Sequence, residues 1–525
     1  MKIIKYLSLT LVFWAFFVSN SCNPDKLDLI NPNQLLPETY FKNEVQIQSA
    51  VNAIYGSMQT TAMYNRHMWF GNDNMSHENG GNPQLEADKR DYLNFSFDFT
   101  HGAIGDYWES CYRGINKANF VINAADIIAL IPDAQLSAER KAKYDGEAKF
   151  LRAAYYFWLV IKFGDVPLML DVPADNQGIA KSPAADIYIQ IEKDLTDATT
   201  ELLDKDDEDP GRATKGAAWA LLGKVRLFEK KYAEALTAFN NVTGYSLEPN
   251  YLNNFMEETE HGPESIFEVE FNVAAGNSAR WNSGVSDAGL NESCFRGQEY
   301  GCMDWFNVFP SVNLTSEFEA GDPRYDFCFY TNGQPYNNGA NTIAITPLAQ
   351  SDGSTYPRVG WRKYQNYYRY ASESTVSPGQ ASGINMKIIR YADVLLMMAE
   401  CEANTGDITA AVGHMNQIRG RADVNMPLYG TPEMDAVYPV GDLTQFMVAL
   451  EHERKVELCG EQVRWPDLVR WGRAAAFIAQ LQAGNQLPIK EKAEIQFDPA
   501  KNLLWPIPQR EMQSNSKMVQ NPGYN

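Results

Sequence analysis

Apolar residues recur at three- and four-residue spacing through two long blocks, residues 44 to about 244 and 387 to about 483. That period predicts amphipathic helices. Between the blocks the period is lost in a Gly-, Asn- and Ser-rich stretch studded with aromatic residues, which predicts loops and short strands. The sharpest local pattern lies within 214–239. Trp219, Leu222 and Gly223, followed by Ala235 and Phe239, reproduce the spacing of a tetratricopeptide repeat, with Arg226 where that repeat carries Tyr. Gly223 and Ala235 are small enough to let two antiparallel helices approach, while Trp219, Leu222 and Phe239 fill the groove between them.

A second helical pair is predicted over 390–422, where Leu395, Ala399 and Ala403 form one stripe, Gly406 interrupts, and Ala411, Met415 and Ile418 form the next. A third helix begins near Asp145, with Ala148, Leu151, Tyr155, Trp158 and Leu159 on one face and Gly164 as its cap. Stacked pairs of this kind need neighbours to cover their faces. The expected fold is therefore mainly α, a tetratricopeptide-like scaffold of helical pairs with an irregular, loop-rich region containing short strands.

The N-terminus has a different pattern. Lys2 and Lys5 precede an apolar run of 12 residues from Leu7 to Val18, broken by Ser8 and Thr10, and Ser19-Asn20-Ser21-Cys22 follows. This predicts a secretory signal over 1–21, too short to span a bilayer. Cys22 after a small residue matches a lipoprotein processing site, at which Cys22 takes the lipid. Ordinary secretion and an uncleaved tether are the alternatives.

Composition narrows the partners. The 525 residues carry 45 Lys plus Arg against 66 Asp plus Glu, a net charge of -21, and such a surface repels phosphate backbones. No nucleic acid is expected, and highly sulfated or uronic-acid-rich glycans are disfavoured. Aromatic residues make up 12% of the chain, more than core packing usually needs. Six cysteines remain beyond Cys22. Cys111, Cys401 and Cys459 lie in helical patterns and read as buried thiols, whereas Cys294, Cys302 and Cys328 share a loop-rich stretch where a bridge is sterically open.

Reaction chemistry is hard to find. Neither His77-Glu78 nor His452-Glu453 continues to a second His at zincin spacing, and no Gly-x-Ser-x-Gly or Gly-x-Gly-x-x-Gly turn occurs. His67, His77, Asp73 and Glu78 share a polar loop and are of metal-ligating type, but scattered loop histidines usually hold no metal, and the acidic stretch 204–209 lacks the pattern of an EF-hand. No catalytic residue, metal or other cofactor is expected.

Ordered landmarks then cover nearly the whole chain. They include Trp108-Glu-Ser-Cys-Tyr-Arg-Gly-Ile-Asn116, Glu147-Ala-Lys-Phe-Leu-Arg-Ala-Ala-Tyr-Tyr-Phe157, Ile389-Arg-Tyr-Ala-Asp-Val-Leu-Leu396, Glu453-Arg-Lys-Val-Glu-Leu458, Arg464-Trp-Pro-Asp-Leu-Val-Arg-Trp-Gly472 and Leu504-Trp-Pro-Ile-Pro508. In these the chain resembles the SusD/RagB family, departing at Pro466, where an aromatic is commoner and a local turn is expected to change. The resemblance implies four stretches: the signal, an N-terminal region 22–265 with repeat-like pairs, a loop-rich ligand-binding region 266–385, and a C-terminal helical region 386–525. It also implies a lipid-anchored protein of the bacterial cell surface. Such a protein sits on a SusC-like TonB-dependent outer-membrane transporter and captures nutrients, usually oligosaccharides, without cleaving them. Arg152, Asp393, Glu457, Arg464 and Asp467, within the landmarks, are expected to pack and pair.

A sugar site needs flat aromatic rings for pyranose faces, bordered by amide, carboxylate or guanidinium partners for the hydroxyls. Two stretches offer that mixture, 64–74 and 277–282 with Tyr300 nearby. The expected stacking platforms are Trp69 and Trp281, with Asn72, Asp73 and Arg280 as hydroxyl partners and Tyr64 and Tyr300 alongside. Trp305, close to the second stretch, is expected to be a buried loop anchor, and Tyr364, Tyr368 and Tyr370 a strand face. The rival readings are a binder of peptides or another nutrient on the same fold, a surface glycosidase, and a structural adaptor without a small ligand.

Overall fold

The structure is a computed structural model and describes residues 36–171, 178–273, 292–376 and 382–524. Helix α1 (Glu44–Gly56) starts where the Asn43 side chain accepts from Gln46 N, and it buries Ile47, Val51 and Ile54. Next come α2 (His67–Met75), α3 (Gly102–Ile122) and α4 (Ala138–Phe163), the last capped by Ser137 and stopped by Gly164 at φ 70°. Helix α4 is the spine. Ala148, Leu151, Tyr155, Trp158 and Leu159 are all buried, and its other faces are covered too, by α3 and by α5 (Ala184–Glu201).

The repeat-like unit forms as α6 (Lys215–Phe228) and α7 (Tyr232–Phe239). A Cβ on Gly223 would lie 2.5 Å from the Phe239 ring, so only glycine permits this approach. Helix α6 also packs on α5, and α7 packs on α9 (Tyr391–Asn404). Gly406, at φ 98°, then turns the chain into α10 (Ile408–Arg419). Both predicted stripes of this pair are buried together with α11 (Leu443–Glu457). The result is a continuous stack of helical pairs, and no described helix is long and apolar enough to cross a membrane.

Strands are short. Strand β1 (Asn79–Gly81) pairs antiparallel with β3 (Val308–Pro310), and β2 (Ser265–Val269) with β4 (Met386–Arg390), the latter with register breaks on both sides of Ile389. Residues 360–370 do not form the expected strand face. Only Gly360–Trp361 is extended in a ladder, Tyr364 sits buried at φ 60°, and Tyr368 and Tyr370 are half-buried around Arg369.

The polar landmark residues hold the stack together. Arg152 binds Asp194 through two bonds of 2.8 Å; Asp393 receives Lys224 at 3.0 Å and Arg454 at 2.9 Å; Arg464 reaches Glu451 at 2.6 Å. Arg454 also pairs with Asp467. Glu457 is the hub of a larger buried network, contacting Arg324, Arg390 and Arg421. Three guanidinium groups outweigh the effect of burial and hold its carboxyl well below the usual range. Pro466 leaves the local helix intact. It occupies the third position of α12 (Arg464–Arg470), where an N–H has no intrahelical acceptor to lose. Cys294, Cys302 and Cys328 are separate buried thiols with no bridge among them.

Candidate functional site

The segment after α1 turns into α2 and β1, and helix α8 (Arg296–Tyr300) lies against it. Here five of the expected ligand residues meet, but inside the protein. Tyr64, Trp69, Asn72, Asp73 and Tyr300 are at most 3% exposed. The Trp69 indole donates to Tyr64 O at 2.8 Å, and its ring meets Tyr300 edge-on at 5.1 Å. Tyr300 donates to Asp73 Oδ2 at 3.1 Å and accepts from Asn79 at 3.0 Å. Asp73 also contacts Arg296 at 3.4 Å. Burial pushes the Asp73 carboxyl up, against the pull of Arg296, and burial with Asp73 nearby pushes Glu78 up to about 8.

Asn72 accepts from Lys162 at 2.7 Å, and burial lowers that ammonium to about 7. Tyr64 and Asn72 border a cavity of about 60 Å³, room for water but not for a sugar ring. The expected platform at Trp69 and the expected hydroxyl partners Asn72 and Asp73 are therefore corrected to an internal network, as are Tyr64 and Tyr300. The physical reason is that the Trp69 indole, Asn72, Asp73 and the Tyr300 hydroxyl each find a partner within the chain, so the rings can pack away from water. Arg280, Trp281 and Cys22 lie outside the described residues.

The surface above this network carries Trp305. At 37% exposure it is the one exposed tryptophan among the described residues. The turn that presents it is closely tied. Gly301 fits where a Cβ would lie 2.3 Å from the Tyr367 hydroxyl, Trp305 N donates to Gln298 O at 3.1 Å, and Phe306 takes φ 49°. Gln84 donates to Trp305 O at 2.9 Å and to Phe306 O at 2.8 Å. Beside the ring's own segment, Asp304 accepts from the Tyr367 hydroxyl at 2.6 Å and from Ser374 at 3.3 Å. Gln84 and Ser374 are exposed and Asp304 is half-buried, giving amide, hydroxyl and carboxylate groups beside the tied backbone turn that carries the indole.

The expectation that Trp305 is a buried anchor is thus reversed. No local pattern in the sequence marks it, since Phe306, Asn307, Val308 and Phe309 after it are all buried. Trp305 supplies a flat apolar face; Gln84, Asp304 and Ser374 supply polar groups beside its turn. That combination suits a polyhydroxylated ligand.

Residues 263–524 match the family model described as SusD family, and residues 25–227 match one described as starch-binding associating with outer membrane. The chain is 27% identical over 521 residues to SusD-like protein P2 of Formosa agariphila, covering 93% of this chain and 94% of that protein. A SusD homolog from Bacteroides thetaiotaomicron shares the fold with a TM-score of 0.76 at 23% identity, over 93% of this chain and 98% of the other. A laminarin-binding SusD-like protein does so with a TM-score of 0.72 at 26% identity, over 92% and 100%. With two family models matching in order along the chain and the helical stack shared by these structures, the protein belongs to the SusD family.

Proposed function

We propose that the protein is a noncatalytic glycan-binding protein of the bacterial outer membrane that captures oligosaccharides and delivers them to a SusC-like TonB-dependent transporter, with a lipid on Cys22 as its anchor. The observation that carries the reading is the rigid presentation of Trp305 beside Gln84, Asp304 and Ser374. Stacking of a pyranose face on the indole removes apolar surface from water, and the flanking groups pair with ring hydroxyls. The likeness to a laminarin-binding protein and to a starch-binding family supports a neutral glucan, as does the net charge of -21.

The test is calorimetric titration of the purified protein with laminari- and malto-oligosaccharides, sulfated glycans and a peptide pool, followed by chromatography of the spent mixtures. Binding of a neutral glucan with no shortened products is the expected result. Peptide binding alone, or release of shorter sugars, would replace this reading. Radiolabelled palmitate incorporated by the wild type and lost in Cys22→Ser checks the anchor.

A further inference from the structure

Away from Trp305, the turn before β2 carries side chains that glycan capture does not use. His261, Glu268 and Glu270 place one ligand atom each within 4.8 Å of one another, and they are the one such set of His, Cys, Asp or Glu found among the described residues. His261 Nε2 lies 3.3 Å from Glu270 Oε2. That separation is long for a charge-assisted hydrogen bond, which runs ~2.7–2.9 Å. It equals the ~3.3 Å edge of a tetrahedron built on zinc with bonds of ~2.0–2.1 Å.

The surroundings orient the carboxylates. Asn385 Nδ2 donates to Glu268 Oε2 at 3.0 Å and to Glu270 Oε1 at 3.1 Å, while its own Oδ1 accepts from Phe271 N. This is the placement of an outer-shell partner that aligns two ligands. His261 adopts φ 58°, and its N–H donates to Glu268 Oε1 at 3.1 Å, which sets the imidazole beside the strand end. Lys387 occupies Glu268 Oε1 and leaves Oε2 on the Asn385 side. Lys387 pairs with Glu268 alone, Glu270 has no ammonium partner among the described residues, and Lys205 Nζ is spent on the Gly262 and Ser265 carbonyls. The His261 and Glu270 side chains are 29% and 43% exposed, so an ion reaches them from solvent.

We propose that His261, Glu268 and Glu270 form a binding site for a divalent first-row transition ion, with zinc the best match to one imidazole and two carboxylates. Water fills the remaining position. The ion ties the turn at 260–262 to the end of β2, next to a cavity of about 210 Å³ that Glu268 and Glu270 border. Sequence inspection passes over it because the histidine belongs to a turn while the two glutamates alternate along an extended segment.

Titration of the metal-stripped protein with zinc chloride, with zinc per chain counted by mass spectrometry after dialysis, tests this. Expected are one zinc per chain, a thermal midpoint that rises with zinc, and binding at least tenfold weaker in both His261→Ala and Glu270→Gln. Circular dichroism of the two variants verifies their fold. His414→Ala, which removes the imidazole 3.2 Å from Glu402, leaves binding unchanged. Failure of the wild type to retain zinc overturns the proposal, and so does stoichiometric zinc that survives both site variants or disappears in His414→Ala.

Discussion

The Tyr300 hydroxyl donates to Asp73 Oδ2 at 3.1 Å, tying the last residue of α8 to the last turn of α2 beneath the surface that presents Trp305. Tyr300→Phe removes that donor from a buried carboxylate and leaves Asn79 without its acceptor there. The expected cost is about 1–3 kcal/mol, read from urea unfolding midpoints. Glycan affinity should also fall, although Tyr300 touches no ligand, because the turn five residues later loses its footing.

Trp69 should behave as a core residue. With 0% exposure and its indole N–H already bonded to Tyr64 O, Trp69→Ala opens a large cavity. Destabilisation of about 3–5 kcal/mol is expected, measured by denaturant unfolding. A near-neutral change in stability accompanied by loss of binding would return Trp69 to the ligand surface.

Stability should also depend on pH through His452. Its imidazole lies 2.8 Å from Glu317 and 3.1 Å from Glu319, beside Glu453, and stacks on Tyr438 with centroids 4.1 Å apart. Burial alone would lower its pKa, but hydrogen bonds to the two glutamates outweigh that and raise it. A raised folded-state value means that the contribution is complete below the ordinary value of ~6.5 and is lost as pH rises through the raised one. Thermal midpoints between pH 6 and 9 should fall for the wild type more steeply than for His452→Gln. Parallel curves would show that the imidazole carries no such linkage.

Arg390 illustrates the cost of breaking the internal network. It contacts Glu264, Glu457 and Glu461 while only 1% exposed. Arg390→Met leaves three buried carboxylates facing one another across a lost counter-charge, worth about 3–5 kcal/mol. Reduced soluble yield and a lower unfolding midpoint are expected; an unchanged midpoint would mean that Arg421, Arg324 and Lys363 together neutralise the cluster.

The helical scaffold was legible because its signals are local. Gly223 against Phe239, and the stripes on either side of Gly406, each follow from a period and a small residue. The binding surface was legible only in part. The stretch 64–74 and Tyr300 do converge, yet Asn72 and Asp73 read as surface groups because their partners, Lys162, Arg296 and Gln462, lie 90 to 389 residues away. Polar residues satisfied by distant partners look the same in sequence as polar residues facing water. Trp305 shows the converse, an aromatic left at the surface directly before a run, 306–310, that is buried throughout.

The most direct test of the account is calorimetry of wild type and Trp305→Ala, side by side, against the neutral glucan that binds. The account predicts at least tenfold weaker affinity, about 1.4 kcal/mol, with an unfolding midpoint that moves far less than in Trp69→Ala, since Trp305 is 37% exposed where Trp69 is 0%. Equal affinity in the two proteins would contradict it.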